Sequence, residues 1–285
     1  MNIKNITILG AGIMGRGIAH VSCFGGFQTV LYDISEEMLE SASASIQKNY
    51  DKAVEKNLLT AVQAKEAFSK LELKQDLQEA VSGADFVIEA VPEKIDLKVE
   101  MYSQLDKLCK PETIFASNTS SLSITEMAAA TDRPQQFIGM HFFNPVHIMK
   151  LVEIVRGLET SEETIAATKG VGGKMGKETV TIKESPGFIT SRINAMIGNE
   201  AFYMLQEGIA SPEEIDKALK LGLNHPMGPF EMVDLVGLDT RLSILKFLHQ
   251  TLGEKYRPCP LLEQYVRAGR LGRKTGKGVY DYTQK

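Results

Sequence analysis

The chain has 285 residues, of which 43% are hydrophobic and 24% are charged, proportions typical of one or two globular domains. A net charge of -4 at pH 7 and a pI near 5.8 argue against nucleic acid or an anionic membrane as a partner. No apolar run reaches the roughly 18 residues that a membrane span requires, and the N-terminal residues lack a signal-peptide pattern. The three cysteines are far apart and odd in number, which predicts reduced thiols, a cytoplasmic location and no metal site: Cys23, Cys109 and Cys259.

A glycine-rich turn follows the first predicted strand, residues 3–9, and opens a helical pattern that continues to about Phe24. In a G-x-G-x-x-G motif, the first glycine permits a tight turn, the second lets the backbone approach a pyrophosphate, and the third lets helix and strand pack closely. The N–H groups at the helix N-terminus then bind the phosphates. The sequence therefore predicts a dinucleotide site that contains Gly10, Gly12, Ile13, Met14 and Gly15.

A second strand, predicted over residues 28–32, ends at Asp33. This carboxylate lies about 20 residues after the glycine motif, where an acidic residue accepts hydrogen bonds from the adenosine ribose. A 2′-phosphate would meet a like charge there, and no arginine follows directly. Asp33 therefore favours NAD over NADP.

Residues 34 to about 70 are polar and predict two helices with a break near Asn57. Lys48, Lys52 and Lys56 recur at every fourth position and so share one helix face. A stripe of this kind is typical of a solvated face, but it also fits a site for a phosphorylated ligand. Both interpretations stay open at this point.

Three further strands are predicted over residues 85–89, 113–116 and 137–140, and a polar side chain follows each of them: Glu93, Ser120 and His141. In open parallel sheets, ligands bind beyond the carboxyl ends of the strands. We therefore expect these three side chains to line one site.

A carboxylate also stands in the middle of an apolar strand. Glu153 occupies the centre of Leu-Val-Glu-Ile-Val, and a charge buried there needs a partner. His141 is the nearby candidate, because the chain turns after Asn144-Pro145 and can return beside it. An imidazole held by a carboxylate can accept a hydroxyl proton, which is the base that alcohol oxidation by NAD requires. A structural pair in the core is the alternative.

Several motifs together resemble those of the 3-hydroxyacyl-CoA dehydrogenase family, and most of all its bacterial short-chain members, the 3-hydroxybutyryl-CoA dehydrogenases. Besides the glycine motif they are Ser117-Asn118-Thr119-Ser120-Ser121, His141-Phe142-Phe143-Asn144-Pro145, Met149-Lys150-Leu151-Val152-Glu153, Ser185-Pro186-Gly187-Phe188, Asn224-His225-Pro226-Met227-Gly228-Pro229 and Gly272-Arg273-Lys274-Thr275-Gly276-Lys277-Gly278. They span nearly the whole chain. The resemblance implies reversible, NAD-dependent oxidation of (S)-3-hydroxybutyryl-CoA to acetoacetyl-CoA.

The resemblance also implies residue roles. His141 would be the base with Glu153 as its partner, and Ser120 and Asn144 would contact the reacting oxygen or the nicotinamide region. Three further residues resemble positions that contact NAD in the family: Glu93, Lys98 and Lys274. The substrate would be an acyl-CoA.

One position departs from the family pattern. Ser191 stands where the family usually carries an asparagine in the substrate pocket. A hydroxyl is shorter than a carboxamide and donates one hydrogen instead of two. Asn194 follows on the same predicted helix face, but we expect that it does not compensate. His147 is also unusual beside its motif, and we predict that it lies in a surface loop.

Strand signals vanish from about residue 187, and helices are predicted over residues 187–207 and 239–250. The predicted fold class is α/β, with a Rossmann-type dinucleotide-binding domain (1–184) followed by an all-α domain (185–285). In the family the second domain mediates dimerisation and helps to enclose the acyl group, so the resemblance implies a homodimer.

Two other functions fit parts of the sequence. A 6-phosphogluconate-type dehydrogenase also joins a Rossmann domain to a helical one, but its catalytic pair uses a lysine. A non-catalytic dinucleotide-binding protein, like the lens crystallins that resemble the family, is the alternative of another class. The presence of both His141 and Glu153 argues against it.

Overall fold

The computed structural model describes residues 2–283, and the chain divides into two compact units after Glu184. The first unit is a sheet with helices, and the second is built from helices. None of the helices in the described part of the chain is both long and apolar enough to cross a membrane.

The sheet of the first unit has the strand order β3-β2-β1-β4-β5-β6-β7-β8. All neighbouring strands are parallel except β6 and β7, so β1 to β6 share one carboxyl edge. The strands are β1 (Asn5–Leu9), β2 (Gln28–Tyr32), β3 (Leu71–Lys74), β4 (Phe86–Glu89), β5 (Ile114–Ser117), β6 (Phe137–Phe142), β7 (Leu151–Arg156) and β8 (Glu178–Lys183). The order reverses between β1 and β4, which is where such sheets bind dinucleotides.

The central strands β4, β5 and β6 are buried along their whole length, as expected for parallel strands with both faces covered. The helices of this unit are α1 (Ile13–Phe24), α2 (Glu36–Glu55), α3 (Ala61–Phe68), α4 (Leu77–Val81), α5 (Ile95–Leu108), α6 (Ile124–Ala128) and α7 (Glu162–Lys174). Apolar side chains of α1 and α2, such as Ile18 and Leu39, join those of β1 in one buried core.

The second unit has its own core, which includes Phe202, Phe230 and Leu245. Its helices are α8 (Thr190–Gln206), α9 (Pro212–Gly222), α10 (Pro229–Val236), α11 (Leu238–Leu252) and α12 (Pro260–Arg267). The buried carboxylate of Asp234 accepts hydrogen bonds from the backbone of Val279 and Tyr280, which ties the C-terminal segment to α10.

The predicted fold class is confirmed, with a Rossmann-type sheet followed by a helical unit. The predicted bounds of β2 and the predicted end of α1 agree with the structure. The break near Asn57 lies between α2 and α3, and Asn57 itself has a positive φ of 57°.

Several predicted boundaries differ from the structure by one to three residues, and two of these differences lie at predicted site segments. β6 does not end before His141 but continues through Phe142, because its ladder with β7 extends to the pair Phe142–Val152. The helix predicted from residue 187 begins at Thr190, because Gly187 and Phe188 have φ values of 72° and 49°, outside the right-handed helical region.

Candidate active site

The glycine motif forms the turn between β1 and α1. Gly10 has a φ of 98°, and a β-carbon there would lie 2.8 Å from the carbonyl oxygen of Ala90. A β-carbon at Gly15 would lie 1.7 Å from the carbonyl oxygen of Gly10, so only glycine permits this packing. A β-carbon at Gly12, the N-cap of α1, would meet nothing within 4 Å. The space beside Gly12 at the helix N-terminus is therefore open, as the approach of a pyrophosphate requires.

Asp33 lies directly after β2, beside this turn. Its carboxylate accepts a hydrogen bond from the backbone N–H of Ala11 at 2.7 Å and another from Ser35 at 3.0 Å. The structure thus places the carboxylate against the glycine turn, in the position from which an acidic residue binds ribose hydroxyls.

We expect Asp33→Ala to weaken NADH binding by roughly 10- to 100-fold, because a hydrogen bond to a charged group contributes about 1.5–3 kcal/mol. NADPH binding should change less, since the 2′-phosphate no longer meets a like charge. Fluorescence titration with both nucleotides measures this. Asp33→Asn serves as the control for the charge, because the amide oxygen can still accept from Ala11. An unchanged NADH/NADPH ratio in both variants would show that Asp33 does not read the ribose.

Glu93 organises the loop that follows β5. One carboxylate oxygen accepts hydrogen bonds from the Thr119 hydroxyl and from the backbone N–H of Ser120, the latter at 3.0 Å. The other oxygen accepts a hydrogen bond from Lys98 at 2.6 Å. Burial alone would raise the pKa of Glu93, yet the ion pair with Lys98 holds this pKa below its usual value. Glu93 therefore contacts both Lys98 and Ser120. That His141 lines the same site as Glu93 and Ser120 stays a prediction.

Beneath this loop lies a carboxylate that the sequence analysis missed. Glu89, the last residue of β4, is fully buried and pairs with Lys98 at 3.0 Å. It also accepts hydrogen bonds from the Ser117 hydroxyl at 2.6 Å and from the backbone of Val91 at 2.9 Å. Burial raises the pKa of Glu89. The signal that revealed Glu153, an acid inside an apolar strand, is present here as well.

His141 and Glu153 lie directly opposite each other on the antiparallel strands β6 and β7. The distance between His141 Nδ1 and Glu153 Oε2 is 2.8 Å, and the carboxylate is fully buried. Asn118, another residue that the sequence analysis did not single out, holds the end of β6 by accepting a hydrogen bond from Phe142 N at 2.9 Å. The ring of Phe143 lies 4.5 Å from the imidazole. The carboxylate thus orients the imidazole ring through Nδ1.

Other predicted site residues lie elsewhere in the first unit. Asn144 is exposed in the turn after β6, and His147 is exposed in the same turn, where a surface loop was predicted for it. Lys48 and Lys52 are exposed on α2, and Lys56 is the exposed C-cap of that helix. The structure by itself does not choose between a solvated face and a phosphate site for these lysines.

In the second unit, Ser191 and Asn194 lie in the first turns of α8, and both are half-buried. Lys274 forms an ion pair with Asp239 at 2.6 Å. Each residue is thus on an ordered element of this unit, and the roles of Ser191 and Lys274 stay predictions.

Comparison with known proteins agrees with this geometry. Residues 5–185 match the family model described as 3-hydroxyacyl-CoA dehydrogenase, NAD binding domain, and residues 187–282 match the model of the C-terminal domain. The chain belongs to the 3-hydroxyacyl-CoA dehydrogenase family. The motifs that carried the resemblance lie inside these two matched regions, apart from Pro186, which falls between them, so the predicted family is confirmed.

Individual members of the 3-hydroxyacyl-CoA dehydrogenase family resemble the chain over its full length. A probable 3-hydroxybutyryl-CoA dehydrogenase of Bacillus subtilis is 50% identical, with 100% of this chain and 99% of that protein covered. The mitochondrial hydroxyacyl-coenzyme A dehydrogenase of Homo sapiens is 39% identical over 98% of this chain and 91% of its own. The crystal structure of an (S)-3-hydroxybutyryl-CoA dehydrogenase from Ralstonia eutropha has a TM-score of 0.96 at 44% identity and covers 99% of this chain and 100% of its own.

We expect Glu153→Gln to fold but to lose roughly 10²-fold in kcat, part of the 10²–10⁴-fold that a positioned proton-transfer group contributes. The amide preserves the shape of the side chain but cannot stabilise an imidazolium. The acidic limb of the pH–rate profile for alcohol oxidation should therefore move to lower pH. Steady-state kinetics across pH test this, with the exposed Glu159→Gln as a control in the following loop. An acidic limb at its wild-type position would count against the pairing.

Proposed function

We propose that this chain catalyses the NAD-dependent, reversible oxidation of (S)-3-hydroxybutyryl-CoA, and of other short-chain 3-hydroxyacyl-CoA substrates, to the 3-ketoacyl-CoA. The observation that carries this proposal is the hydrogen bond of 2.8 Å between His141 and the buried Glu153, at the carboxyl edge that also holds the dinucleotide turn. The family membership and the relatives named 3-hydroxybutyryl-CoA dehydrogenase support the same activity.

The proposed roles of the pair follow from its geometry. Glu153 accepts the Nδ1–H of His141 and keeps the imidazole in the tautomer whose Nε2 can take the substrate hydroxyl proton. NAD, when bound, supplies the acceptor for the hydride that leaves C3. The carboxylate then stabilises the imidazolium that forms. In the reducing direction, the imidazolium returns the proton to the oxygen of the ketone.

Ser120 and Asn144 are proposed to contact the reacting oxygen or the nicotinamide region. Ser120 lies on the loop that Glu93 holds, and Asn144 lies three residues after His141. Glu93 and Lys98 are proposed to belong to the NAD site of the first unit. Three residues of the glycine motif are proposed to bind NAD beside them: Gly12, Ile13 and Met14. Because Lys98 is almost fully buried, we propose that it acts by holding Glu93 in place.

The two units are proposed to have different roles, with the boundary between them as predicted. Residues 1–184 would bind NAD, and residues 185–285 would contribute to the substrate site and to dimerisation. Lys274 is assigned to NAD, and Ser191 to the substrate, by resemblance to the family. Three exposed lysines are proposed to attract the phosphates of the CoA moiety, because an ammonium group binds phosphate as a point charge. They are Lys48 and Lys52 on α2 and Lys56 at its C-cap.

We also propose a homodimer that acts in the cytoplasm. Large apolar side chains of the second unit are strongly exposed, including Leu221 at 77% and Leu223 at 65%, and a second copy would bury them. The three cysteines are unpaired and buried, as expected of a protein from a reducing compartment. Sedimentation at micromolar concentration tests the dimer.

The test of the activity is a chain-length series of 3-ketoacyl-CoA substrates, with NADH and NADPH compared side by side by their absorbance. We expect acetoacetyl-CoA to be reduced with NADH, and much more slowly with NADPH. Tight NADH binding without turnover of any member of the series would overturn the proposal and favour a non-catalytic dinucleotide-binding protein.

Ser191→Asn restores the side chain that the family usually carries. If this position lines the pocket, the longer carboxamide gains a hydrogen bond worth about 0.5–1.5 kcal/mol, which is roughly a 2- to 13-fold rise in kcat/KM for acetoacetyl-CoA. The KM for NADH should stay unchanged. The matched variant is Asn194→Ala on the same helix. Lower activity in Ser191→Asn together with a large loss in Asn194→Ala would assign the role to Asn194 instead.

A further inference from the structure

A buried lysine holds the turn that joins β6 to β7. Lys177 directly precedes β8 and is 8% exposed. Its ammonium donates hydrogen bonds to the carbonyl oxygens of Val146 and Met149, the latter at 2.8 Å. These two acceptors belong to the segment 143–149, which begins two residues after His141 and contains Asn144.

The surroundings of Lys177 make these carbonyl contacts important. None of the ion pairs within residues 2–283 includes Lys177. Burial lowers its pKa. Burial, together with the charges of His147 and Lys177, lowers the pKa of His20 to about 4, so His20 is neutral at pH 7. The carbonyl oxygens of Val146 and Met149 therefore stabilise the buried ammonium by accepting its hydrogen bonds. A buried charge needs fixed acceptors of this kind.

The same turn is held from the side of the dinucleotide helix. Val146 packs against α1 so closely that a β-carbon at Gly17 would lie 2.8 Å from Val146 Cγ2. Within the turn, the backbone N–H groups of Ile148 and Met149 both donate to Pro145 O, at 3.0 and 2.9 Å. The segment is thus fixed between the helix that begins at the glycine motif and the ammonium of Lys177.

We propose that Lys177 is a positioning residue, whose ammonium fixes the segment 143–149 and thereby the place of Asn144 relative to the dinucleotide turn. Its effect on catalysis rests on the proposed function, whereas its effect on the segment does not. Lys177 itself touches the backbone of the turn and acts through Asn144. A displacement of about 1 Å at a reacting centre can lower the rate roughly 10²-fold, so loss of this contact should reach kcat.

The test compares Lys177→Met, which keeps the apolar stem and removes the donors, with Lys177→Arg, which keeps the charge. Lys169→Met is the matched control, since Lys169 is exposed on the preceding helix α7. Hydrogen exchange of the ligand-free protein reports on the amides of residues 146–150. Steady-state kinetics and NADH titration report on the site.

In Lys177→Met we expect faster exchange in residues 146–150, unchanged exchange in β1 and β2, and a kcat roughly 10- to 100-fold lower, with NADH affinity within about threefold of wild type. Lys177→Arg should recover part of the kcat and part of the protection from exchange in residues 146–150. Lys169→Met should match wild type in both measurements. A fall in stability alone would not confine the change in exchange to this segment.

Wild-type kcat or unchanged exchange in a folded Lys177→Met would overturn the proposal. If Lys177→Met does not fold, Lys177→Gln is judged by the same two readouts. If the wild-type protein reduces no 3-ketoacyl-CoA, the proposed function fails, and exchange in residues 146–150 still decides whether Lys177 fixes the turn.

Discussion

Replacing His141 by alanine is expected to lower kcat by roughly 10³-fold, within the range that positioned acid–base groups contribute. The imidazole belongs to β6 and lies 2.8 Å from the carboxylate of Glu153 on β7. It is outside the turn between β1 and α1 that cradles the dinucleotide. NADH affinity should therefore remain within about threefold of wild type. The measurement is kcat for acetoacetyl-CoA reduction together with NADH titration by fluorescence.

The alanine variant also removes a hydrogen-bond partner of a buried carboxylate, so His141→Gln is the second variant, because glutamine can still donate to Glu153. His249→Ala is the matched control, since His249 pairs with Glu254 on the surface of the second unit. A kcat close to wild type in a folded His141 variant would refute the assignment of the base.

The second large effect is expected on stability, from Lys98→Met. Lys98 lies between Glu89 and Glu93, and Glu89 is fully buried. Removing one partner of a buried ion pair lowers the free energy of unfolding by about 3–5 kcal/mol. That corresponds to a fall in Tm of roughly 10 °C for a unit of this size. Thermal unfolding followed by circular dichroism measures it.

The pH dependence of the stability lost in Lys98→Met tests whether the unpaired carboxylate of Glu89 is the cause. Without Lys98, the folded state disfavours the Glu89 carboxylate, so the pKa of Glu89 in the folded state lies further above its unfolded value. The unpaired Glu89 carboxylate therefore lowers the free energy of unfolding fully at a pH above the folded-state pKa of Glu89. This effect disappears as the pH falls below the pKa of Glu89 in the unfolded state. Lys98→Met should therefore approach wild-type stability in acid, and adding Glu89→Gln should recover stability at neutral pH.

Lys107→Met is the control for this experiment, because Lys107 is exposed in the last turn of the same helix, α5. A Lys98→Met protein as stable as this control at neutral pH would show that the buried pair does not stabilise the fold.

The sequence by itself determined the features that depend on neighbouring residues. The glycine motif with Asp33 predicted the Rossmann turn. Each glycine is required by the local backbone, for the tight turn, for the approach to a pyrophosphate or for close packing of helix and strand. Periodicity predicted the helices α1 and α2 and the break at Asn57. The isolated acid in an apolar strand pointed to the pairing of Glu153 with His141, since a buried charge needs a partner wherever the chain places it.

Only the tertiary structure decided contacts that depend on strand register and strand order. The register of β6 and β7 sets His141 opposite Glu153 and extends β6 through Phe142. Glu89 meets Ser117 because β4 and β5 are neighbours, and Lys177 reaches Met149 because β8 pairs with β7. Residues this far apart in the chain leave no periodic signal, since their contact arises only when the whole sheet assembles.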